Sequence, residues 1–242
     1  MKVLEAWEKA QAGVLWLIDP DQLPLEKYKA AAEAYLEAGG RWALIGGSFL
    51  VRGSLPEWCA EARRQVPLSL ILFPGSPLHL SPDVEAILFL FLASGRNPYY
   101  LIGAHIEAVP FLQRWKGEVI PTTYILIGQT IRTVHYITHT MPIPSDKPEL
   151  VQATALAGWY LGQKVVYIDA GSGAPIPPSP EIVEAVRAAV PIPLLVGGGV
   201  RRPETAHRLL QAGATFVVIG TATEKAFFSK RAWEEYFSLC SV

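Results

Sequence analysis

The sequence has 242 residues, close to the roughly 250 typical of one (β/α)8 barrel, and half of them are hydrophobic, enough for a sizeable core. The net charge is −1 and charged residues make up only 18%, which gives no electrostatic basis for nucleic-acid binding. The two cysteines, Cys59 and Cys240, have no metal-ligand spacing, so we expect a reduced, cytoplasmic protein without disulfides.

The first half of the chain alternates short apolar segments with helical patterns, as parallel βαβ units require. We predict strands at 14–18, 42–45, 68–73 and 86–90, and helices at 25–38, 55–65 and 98–115. The segment after the third strand contains Pro74, Gly75, Pro77 and Pro82. Because proline and glycine interrupt helices, the third helix is predicted to be weak or missing.

The second half repeats the pattern with clearer boundaries. We predict strands at 119–127, 165–169, 193–196 and 216–219, and helices at 148–161, 180–189, 203–212 and from about 223. Eight strand–helix units without a linker predict one domain over residues 1–242 with an α/β fold, a (β/α)8 TIM-type barrel. An open doubly wound sheet is the alternative.

Glycine-rich turns follow the last two predicted strands. The seventh strand leads into Gly197, Gly198 and Gly199, and the eighth into Gly220 and Thr221. TIM-type barrels bind phosphate at this position, and glycine lets backbone N–H groups approach the phosphate oxygens. The two turns together favour a phosphate site over simple tight turns.

The sixth strand ends in Asp169, which is followed by a Gly-Ser-Gly turn at 171–173. A carboxylate at the C-terminal end of a barrel strand points into the mouth, where it could act as a general base or accept a substrate hydroxyl. The alternative is a structural aspartate that caps the loop.

Oxygen ligands follow the first two strands. Asp19 and Asp21 come after the first strand and Ser48 after the second. Such ligands suit Mg²⁺, which keeps water and substrate phosphate in its coordination shell. Ordinary acidic loops are the alternative.

Other polar residues carry weaker predictions. His135 and His139 have a spacing of four, but residues 133–140 are predicted to be extended, so we expect no helical metal pair there. Arg96, after the fourth strand, binds an anion or has a structural role in its loop. The pair Arg201 and Arg202 is expected to be ordinary surface.

Taken in order, these strand-end motifs resemble the geranylgeranylglyceryl phosphate synthase family, which includes the heptaprenylglyceryl phosphate synthases. The matching segments are LIDPD (17–21), LIGGS (44–48), SGRNPYYLIGAH (94–105), IPTTYILIG (120–128), YIDAGSGA (167–174), LLVGGGVRRPE (194–204) and VVIGTA (217–222). They cover almost the whole chain, and SGRNPYYLIGAH together with GSGA is similar to the second of the family's two groups.

The resemblance implies a transferase that joins a long prenyl diphosphate, geranylgeranyl in the family's name, to the 3-hydroxyl of sn-glycerol 1-phosphate. It implies Mg²⁺ at Asp19 and Ser48. For this reaction we expect Asp169 to accept the proton of the glycerol hydroxyl and Arg96 to contact the diphosphate. The implied glycerol phosphate contacts are Tyr167, Ile168, Asp169, Ala170, Gly171, Ser172, Gly173, Gly198, Gly199, Gly220 and Thr221. The mean hydropathy of +0.25 is then explained by an apolar groove or a subunit interface.

Two residues depart from the family pattern. Asp169 stands where the family usually has glutamate, which shortens the carboxylate arm, and Leu17 stands where the other group has a phosphate-contacting lysine. The rival functions are another phosphate-binding barrel enzyme, such as a sugar-phosphate isomerase or a flavin-dependent oxidoreductase, and a non-catalytic barrel that binds phosphorylated ligands. We also expect a homo-oligomer and peripheral contact with membranes.

Overall fold

The computed structural model describes residues 2–10, 12–224 and 229–238. Its eight parallel strands close into a barrel in chain order, as the sequence predicts. The strands are β1 (Gly13–Ile18), β2 (Trp42–Ile45), β3 (Ser69–Leu72), β4 (Ala86–Leu92), β5 (Glu118–Leu126), β6 (Val165–Asp169), β7 (Leu194–Gly197) and β8 (Phe216–Ile219). The predicted α/β barrel is therefore confirmed, and Cys240 lies outside the described residues.

Helices connect the strands around the outside of the barrel. In the described part of the chain they are α1 (Val3–Lys9), α2 (Leu25–Glu37), α3 (Leu55–Gln65), α4 (Ala104–Leu112), α5 (Thr133–Thr138), α6 (Pro148–Tyr160), α7 (Pro180–Ala189), α8 (Pro203–Gln211), α9 (Thr221–Glu224) and α10 (Lys230–Phe237). Among these residues, no helix combines the length and the apolar composition that crossing a bilayer requires.

Two connections differ in instructive ways from regular βα units. Between β3 and β4 there is only a short 3₁₀ turn, Pro77–His79. This confirms the prediction that the helix after the third strand is weak or missing. The segment before α4 forms a π-helical turn, Tyr99–Gly103, so the predicted helix at 98–115 is regular only from Ala104.

The prediction that residues 133–140 are extended is wrong, because this segment contains α5. The backbone N–H of Arg132 donates to Nδ1 of His135 at 2.9 Å, a contact that closes the first turn of the helix. His139 ends the helix with a left-handed φ of 52°. His135 therefore lies in this short helix and His139 directly after it, and no cluster of three metal-binding side chains forms in the described ranges.

The side chains of the strands divide the core into two layers, because successive residues of a strand point to opposite faces. Leu15, Leu44, Tyr167 and Leu195 belong to the cluster that fills the barrel, whereas Ile168 belongs to the layer between the barrel and the helices. The alternation along β6 therefore turns Tyr167 and Asp169 inwards, towards the mouth.

The N-terminal end of the barrel is covered by α1. The Trp7 ring lies 5.3 Å from that of Phe216, the first residue of β8, and the Val3 N–H donates to Glu118 at the start of β5 at 2.6 Å. Trp7 is fully buried. The helix thus packs against the end opposite the loops on which TIM-type barrels carry their active sites.

Candidate active site

A polar cavity lies at the C-terminal mouth of the barrel, where the loops after β1, β2, β6, β7 and β8 converge. It is lined by Leu17, Asp19, Gly46, Gly47, Ser48, Phe73, Tyr124, Tyr167, Asp169, Ser172, Gly198, Gly199, Val200, Arg201, Val218, Gly220 and Thr221. The predicted metal residues and most of the predicted phosphate residues therefore line a single cavity.

The glycine turn after β7 has a backbone that other residues rarely adopt. Gly198 and Gly199 have φ values of 82° and 73°, in the left-handed region. A Cβ atom on Gly198 would also lie 2.6 Å from Oδ1 of Asp169, and one on Gly199 would lie 2.7 Å from the carbonyl oxygen of Ala174. Glycine is thus required at both positions, for backbone conformation and for space.

Asp169 is the central polar group of the cavity, with only 7% of its surface exposed. Its Oδ2 accepts a hydrogen bond from the Tyr124 hydroxyl at 2.6 Å, and its Oδ1 accepts one from the Gly171 N–H at 2.7 Å. Burial raises the pKa of Asp169, while these two hydrogen bonds oppose the rise. The result is a fixed carboxylate that binds a proton more readily than an exposed aspartate does.

Burial is the main cause that raises the pKa of the Tyr124 hydroxyl, and the nearby Asp169 raises it further. Tyr124 therefore stays protonated and donates its hydrogen bond. Tyr124 was not among the site residues predicted from the sequence. The available signal was strand pairing, since Tyr124 pairs with Tyr167 and Leu126 pairs with Asp169 across β5 and β6. The two tyrosine rings lie 5.5 Å apart.

The loops after β6 and β8 contact each other directly. The Ser172 and Thr221 hydroxyl oxygens are 3.3 Å apart, and the Gly173 N–H donates to the Thr221 hydroxyl at 3.3 Å. These contacts bring together two halves of the predicted phosphate site. Gly220 lies beside Leu17. A Cβ atom at Gly220 would be 3.5 Å from the Leu17 side chain, which is an ordinary contact distance.

Some predicted glycerol phosphate residues do not line the cavity. Ile168 and Ala170 are buried in the layer between the barrel and the helices. Gly171 and Gly173 act through their N–H groups, which donate to Asp169 and Thr221. Their positions support the site and do not form its wall.

Asp19 and Ser48 lie on the opposite side of the cavity, on the loops after β1 and β2. A Cβ atom on Gly47 would be 3.4 Å from both carboxylate oxygens of Asp19, so the two loops approach closely. Asp21 fixes this approach, because its carboxylate accepts hydrogen bonds from the N–H groups of Val51 at 2.7 Å and Arg52 at 2.9 Å. Asp21 is therefore a structural clamp.

Only one oxygen of the Asp19 carboxylate accepts a hydrogen bond from its own loop. Oδ1 accepts a hydrogen bond from the Asp21 N–H at 2.9 Å, and Oδ2 has no such partner within the described residues. Burial raises the pKa of Asp19, the 2.9 Å hydrogen bond lowers it, and the nearby Asp21 raises it further. A divalent cation beside this half-buried carboxylate would offset that desolvation cost.

The arginines of the mouth occupy different positions from those expected. The Arg96 guanidinium donates to the carbonyl oxygens of Ala93 and Gly95 at 3.3 and 2.7 Å, and Arg96 does not line the cavity. Arg201, predicted to be ordinary surface, lines the cavity and donates to the Gly199 and Gly173 carbonyl oxygens. Its position two residues after Gly199 was the missed signal.

A second, apolar cavity begins at the mouth and continues as a groove over the end of β3. Its lining includes Pro77 and Leu80 from the loop that replaces the third helix, Phe89 of β4, and Ala104 and Ala108 of α4. The groove is open because β3 is shorter than β4, and the last pair between the two strands is Leu72 with Ile87. Residues 88–92 of β4 therefore extend beyond β3.

The two cavities meet. Both are lined by Gly47, Ser48, Phe73 and Tyr124. The Phe73 ring contacts the rings of Tyr124 and Tyr167 at 5.4 and 5.3 Å. A Cβ atom on Gly46 would collide with the carbonyl oxygen of Phe73, so a glycine there allows the β2 and β3 loops to form this junction.

Known proteins share this sequence and fold. The PcrB family model matches residues 5–236. The geranylgeranylglyceryl phosphate synthase of Spirosoma linguale is 41% identical over 86% of this chain and 84% of that protein, and that of Methanopyrus kandleri is 41% identical over 87% and 88%. The crystal structure of (S)-3-O-geranylgeranylglyceryl phosphate synthase from Thermoplasma acidophilum with sn-glycerol-1-phosphate has a TM-score of 0.91 at 32% identity, covering 99% of this chain and 98% of that one. The chain therefore belongs to the PcrB family and is homologous to the geranylgeranylglyceryl phosphate synthases.

Proposed function

We propose that this protein is a prenyltransferase that joins a long-chain prenyl diphosphate, geranylgeranyl by similarity to its relatives, to the 3-hydroxyl of sn-glycerol 1-phosphate. One bond between the prenyl C1 and a diphosphate oxygen breaks, and an ether bond between C1 and the glycerol oxygen forms. The observation that carries the proposal is the junction of a polar cavity with an apolar groove at Gly47, Ser48, Phe73 and Tyr124.

The polar cavity suits the acceptor. The glycine turn after β7 and the Gly220–Thr221 turn after β8 present backbone N–H groups, and Arg201 adds a cation on the same wall. Relatives named for geranylgeranylglyceryl phosphate, and a relative with sn-glycerol-1-phosphate bound, support this acceptor. A phosphate held there leaves the glycerol hydroxyls free to reach towards Asp169.

Asp169 orients the attacking hydroxyl and takes its proton. The buried carboxylate is held by Tyr124 and Gly171, and its raised pKa increases its basicity relative to an exposed aspartate. The apolar groove limits the access of water to the allylic carbon, where positive charge develops as the diphosphate departs. The shorter arm of Asp169 is compatible with this role because the strand end itself places the carboxylate in the cavity wall.

The donor set at Asp19 and Ser48 fits Mg²⁺. One carboxylate and one hydroxyl are hard oxygen ligands, and Mg²⁺ characteristically completes its shell with water and substrate phosphates. When bound, the ion would neutralise charge on the leaving diphosphate. Asp19 and Ser48 would hold it beside the junction, with Arg96 as a further diphosphate contact if its guanidinium turns from the Ala93 and Gly95 carbonyl oxygens.

The direct test is incubation of the purified protein with Mg²⁺, labelled sn-glycerol 1-phosphate and prenyl diphosphates of several lengths. We expect a labelled ether lipid and one equivalent of released diphosphate. The sn-3 enantiomer of glycerol phosphate is the matched control and should react much more slowly. Absence of ether product with every donor would contradict the proposal.

Association of copies of the chain is part of the proposal. Ile102, Ile106 and Val109 are spaced by four and three residues along the π-helical turn and α4, and all three are exposed. This spacing places them on one helix face, an apolar stripe that would be covered in a homo-oligomer.

A further inference from the structure

Exposed apolar side chains gather at the end of the barrel that carries the proposed site. We call them the rim: Phe49, Val51, Leu78, Tyr136, Met141 and Ile176, each between 65% and 87% exposed. All of them lie on segments that follow strands, after β2, β3, β5 or β6. Single exposed apolar residues are ordinary, but several at one end of a protein indicate a surface that is covered by a partner.

Three residues of the rim lie next to residues that line the apolar groove. Phe49 follows Ser48, Leu78 follows Pro77, and Tyr136 lies on α5 two residues after Val134, and the residues Ser48, Pro77 and Val134 line the groove. The apolar surface therefore continues from the interior of the groove onto the outside of the protein. A lipid chain that enters the groove passes between these side chains.

Guanidinium groups accompany the rim. Arg52 lies next to Val51, and Arg201 and Arg202 follow the glycine turn after β7; all three are exposed. None of the three forms an ion pair within the described ranges. Their charge is opposite to that of anionic phospholipids.

We propose that the rim docks on the surface of an anionic membrane and places the groove entrance against the lipid. Apolar side chains enter the interface while Arg52 and Arg202 contact lipid phosphates, which is the arrangement of peripheral membrane proteins. Docking would let a prenyl diphosphate pass from the bilayer into the groove without crossing water. The transfer of a prenyl diphosphate into the groove rests on the proposed function, whereas docking is measured by vesicle binding without turnover.

The test is binding of the full-length protein to vesicles of 30% phosphatidylglycerol and 70% phosphatidylcholine, measured by flotation. We expect the double variant Leu78→Ser, Tyr136→Ser to lower vesicle affinity at least about tenfold, because it removes two large apolar groups. The matched control is Tyr160→Ser, Leu161→Ser, which removes the same side-chain types at 73% and 68% exposure. Tyr160 is the last residue of α6 and Leu161 follows it, at the other end of the barrel, and the control should bind as the unmodified protein does.

Charge provides a second measurement. Arg52→Gln should lower affinity for the anionic vesicles about fivefold and leave weak binding to pure phosphatidylcholine unchanged, since each basic residue near such a surface contributes about 1 kcal/mol. Addition of about 0.5 M salt should weaken binding of the unmodified protein in the same direction.

Three outcomes would overturn the proposal: no flotation of the unmodified protein, equal loss in the Tyr160 and Leu161 control, or a fall in molecular mass of the Leu78 and Tyr136 variant by light scattering. The last would show that the rim contacts a second copy of the chain. Turnover of a short prenyl diphosphate that dissolves without vesicles tests the enzyme independently. Vesicle binding through the rim without any turnover would support docking and contradict the proposed reaction.

Discussion

Asp169 combines near-complete burial with two hydrogen bonds that hold its carboxylate at the cavity wall. Replacement by asparagine keeps the size of the side chain and removes the proton acceptor. We expect Asp169→Asn to lower kcat about 10²- to 10⁴-fold, the usual contribution of a general base, and to change the KM for sn-glycerol 1-phosphate little. Steady-state kinetics with saturating donor measures both constants.

Two further variants separate catalysis from positioning. Tyr124→Phe removes the 2.6 Å hydrogen bond and leaves the carboxylate, so its kcat should fall less than that of Asp169→Asn. Asp169→Glu restores the residue that the family resemblance implies and should retain measurable turnover. A near-normal kcat for Asp169→Asn would remove this residue as the base.

Asp169 also makes stability depend on pH. Because burial raises its pKa in the folded protein, folding favours the protonated form, and this stabilisation is lost as the pH rises through the folded-state value. Asp169→Asn cannot ionise, so its Tm should exceed that of the unmodified protein at pH 8. The difference should shrink as the pH falls through the folded-state pKa, which lies above 3.8. A constant difference from pH 8 to acid would contradict the assignment.

Asp19 and Asp21 form a matched pair, since the same substitution at either position removes one charge from the same loop. Asp19→Asn should weaken metal binding at least about tenfold, measured with Mn²⁺ as a paramagnetic probe, and leave glycerol phosphate affinity nearly unchanged. Asp21→Asn should retain the metal and lower the unfolding free energy by about 1 kcal/mol, because it weakens the clamp on Val51 and Arg52. Equal loss of both ligands in Asp19→Asn would contradict separate metal and phosphate sites.

At the scale of elements, the strands were predictable because each is a short apolar segment between clear stop signals. Helix α5 was not, since Thr133, Val134, Ile137 and Thr138 are β-branched and individually favour extended structure. Its helical form depends on tertiary contacts, including the burial of His135 and Thr138. A sequence pattern alone does not contain those contacts.

The site was predictable from polar and glycine motifs at strand ends, but not from the aromatic residues of apolar segments. Asp169 ends β6, and Asp19, Ser48, Gly198, Gly199 and Gly220 come soon after strands; all of them line the polar cavity. Tyr124 and Phe73 are aromatic residues in apolar segments, for which a core position is the ordinary interpretation. Only the pairing and closure of the barrel bring both aromatic rings to the junction of the two cavities.

The apolar groove, which is open because no regular helix connects β3 and β4, predicts how the length of the prenyl donor is limited. Ala108 is 5% exposed and lines the groove on α4, which runs from the mouth towards the covered end of the barrel. Ala108→Phe should fill the groove at this depth and lower kcat/KM for a C20 donor at least about tenfold more than for a C10 donor. Val109→Phe adds the same ring to the exposed side of α4 and should leave the ratio unchanged. Equal loss for both donors would contradict this path for the chain.

At the scale of the whole molecule, apolar surface is distributed in two places with different consequences. The rim lies on segments that follow strands at the mouth of the barrel, whereas the stripe of Ile102, Ile106 and Val109 lies on the π-helical turn and α4. A chain with only 18% charged residues has little charge with which to keep copies apart. The same composition that supplies an apolar groove therefore also favours association of the subunits.

The stripe predicts an oligomer that a single charge should disrupt. Ile106 is at its centre and 63% exposed, so Ile106→Glu should leave the folded monomer intact, but a buried carboxylate in an interface is costly. We expect light scattering to show the unmodified protein at a multiple of 26.5 kDa and this variant near 26.5 kDa. Ile176→Glu, at 71% exposure on the rim, is the matched control and should keep the larger mass. A mass of 26.5 kDa for the unmodified protein would contradict the stripe as a subunit contact.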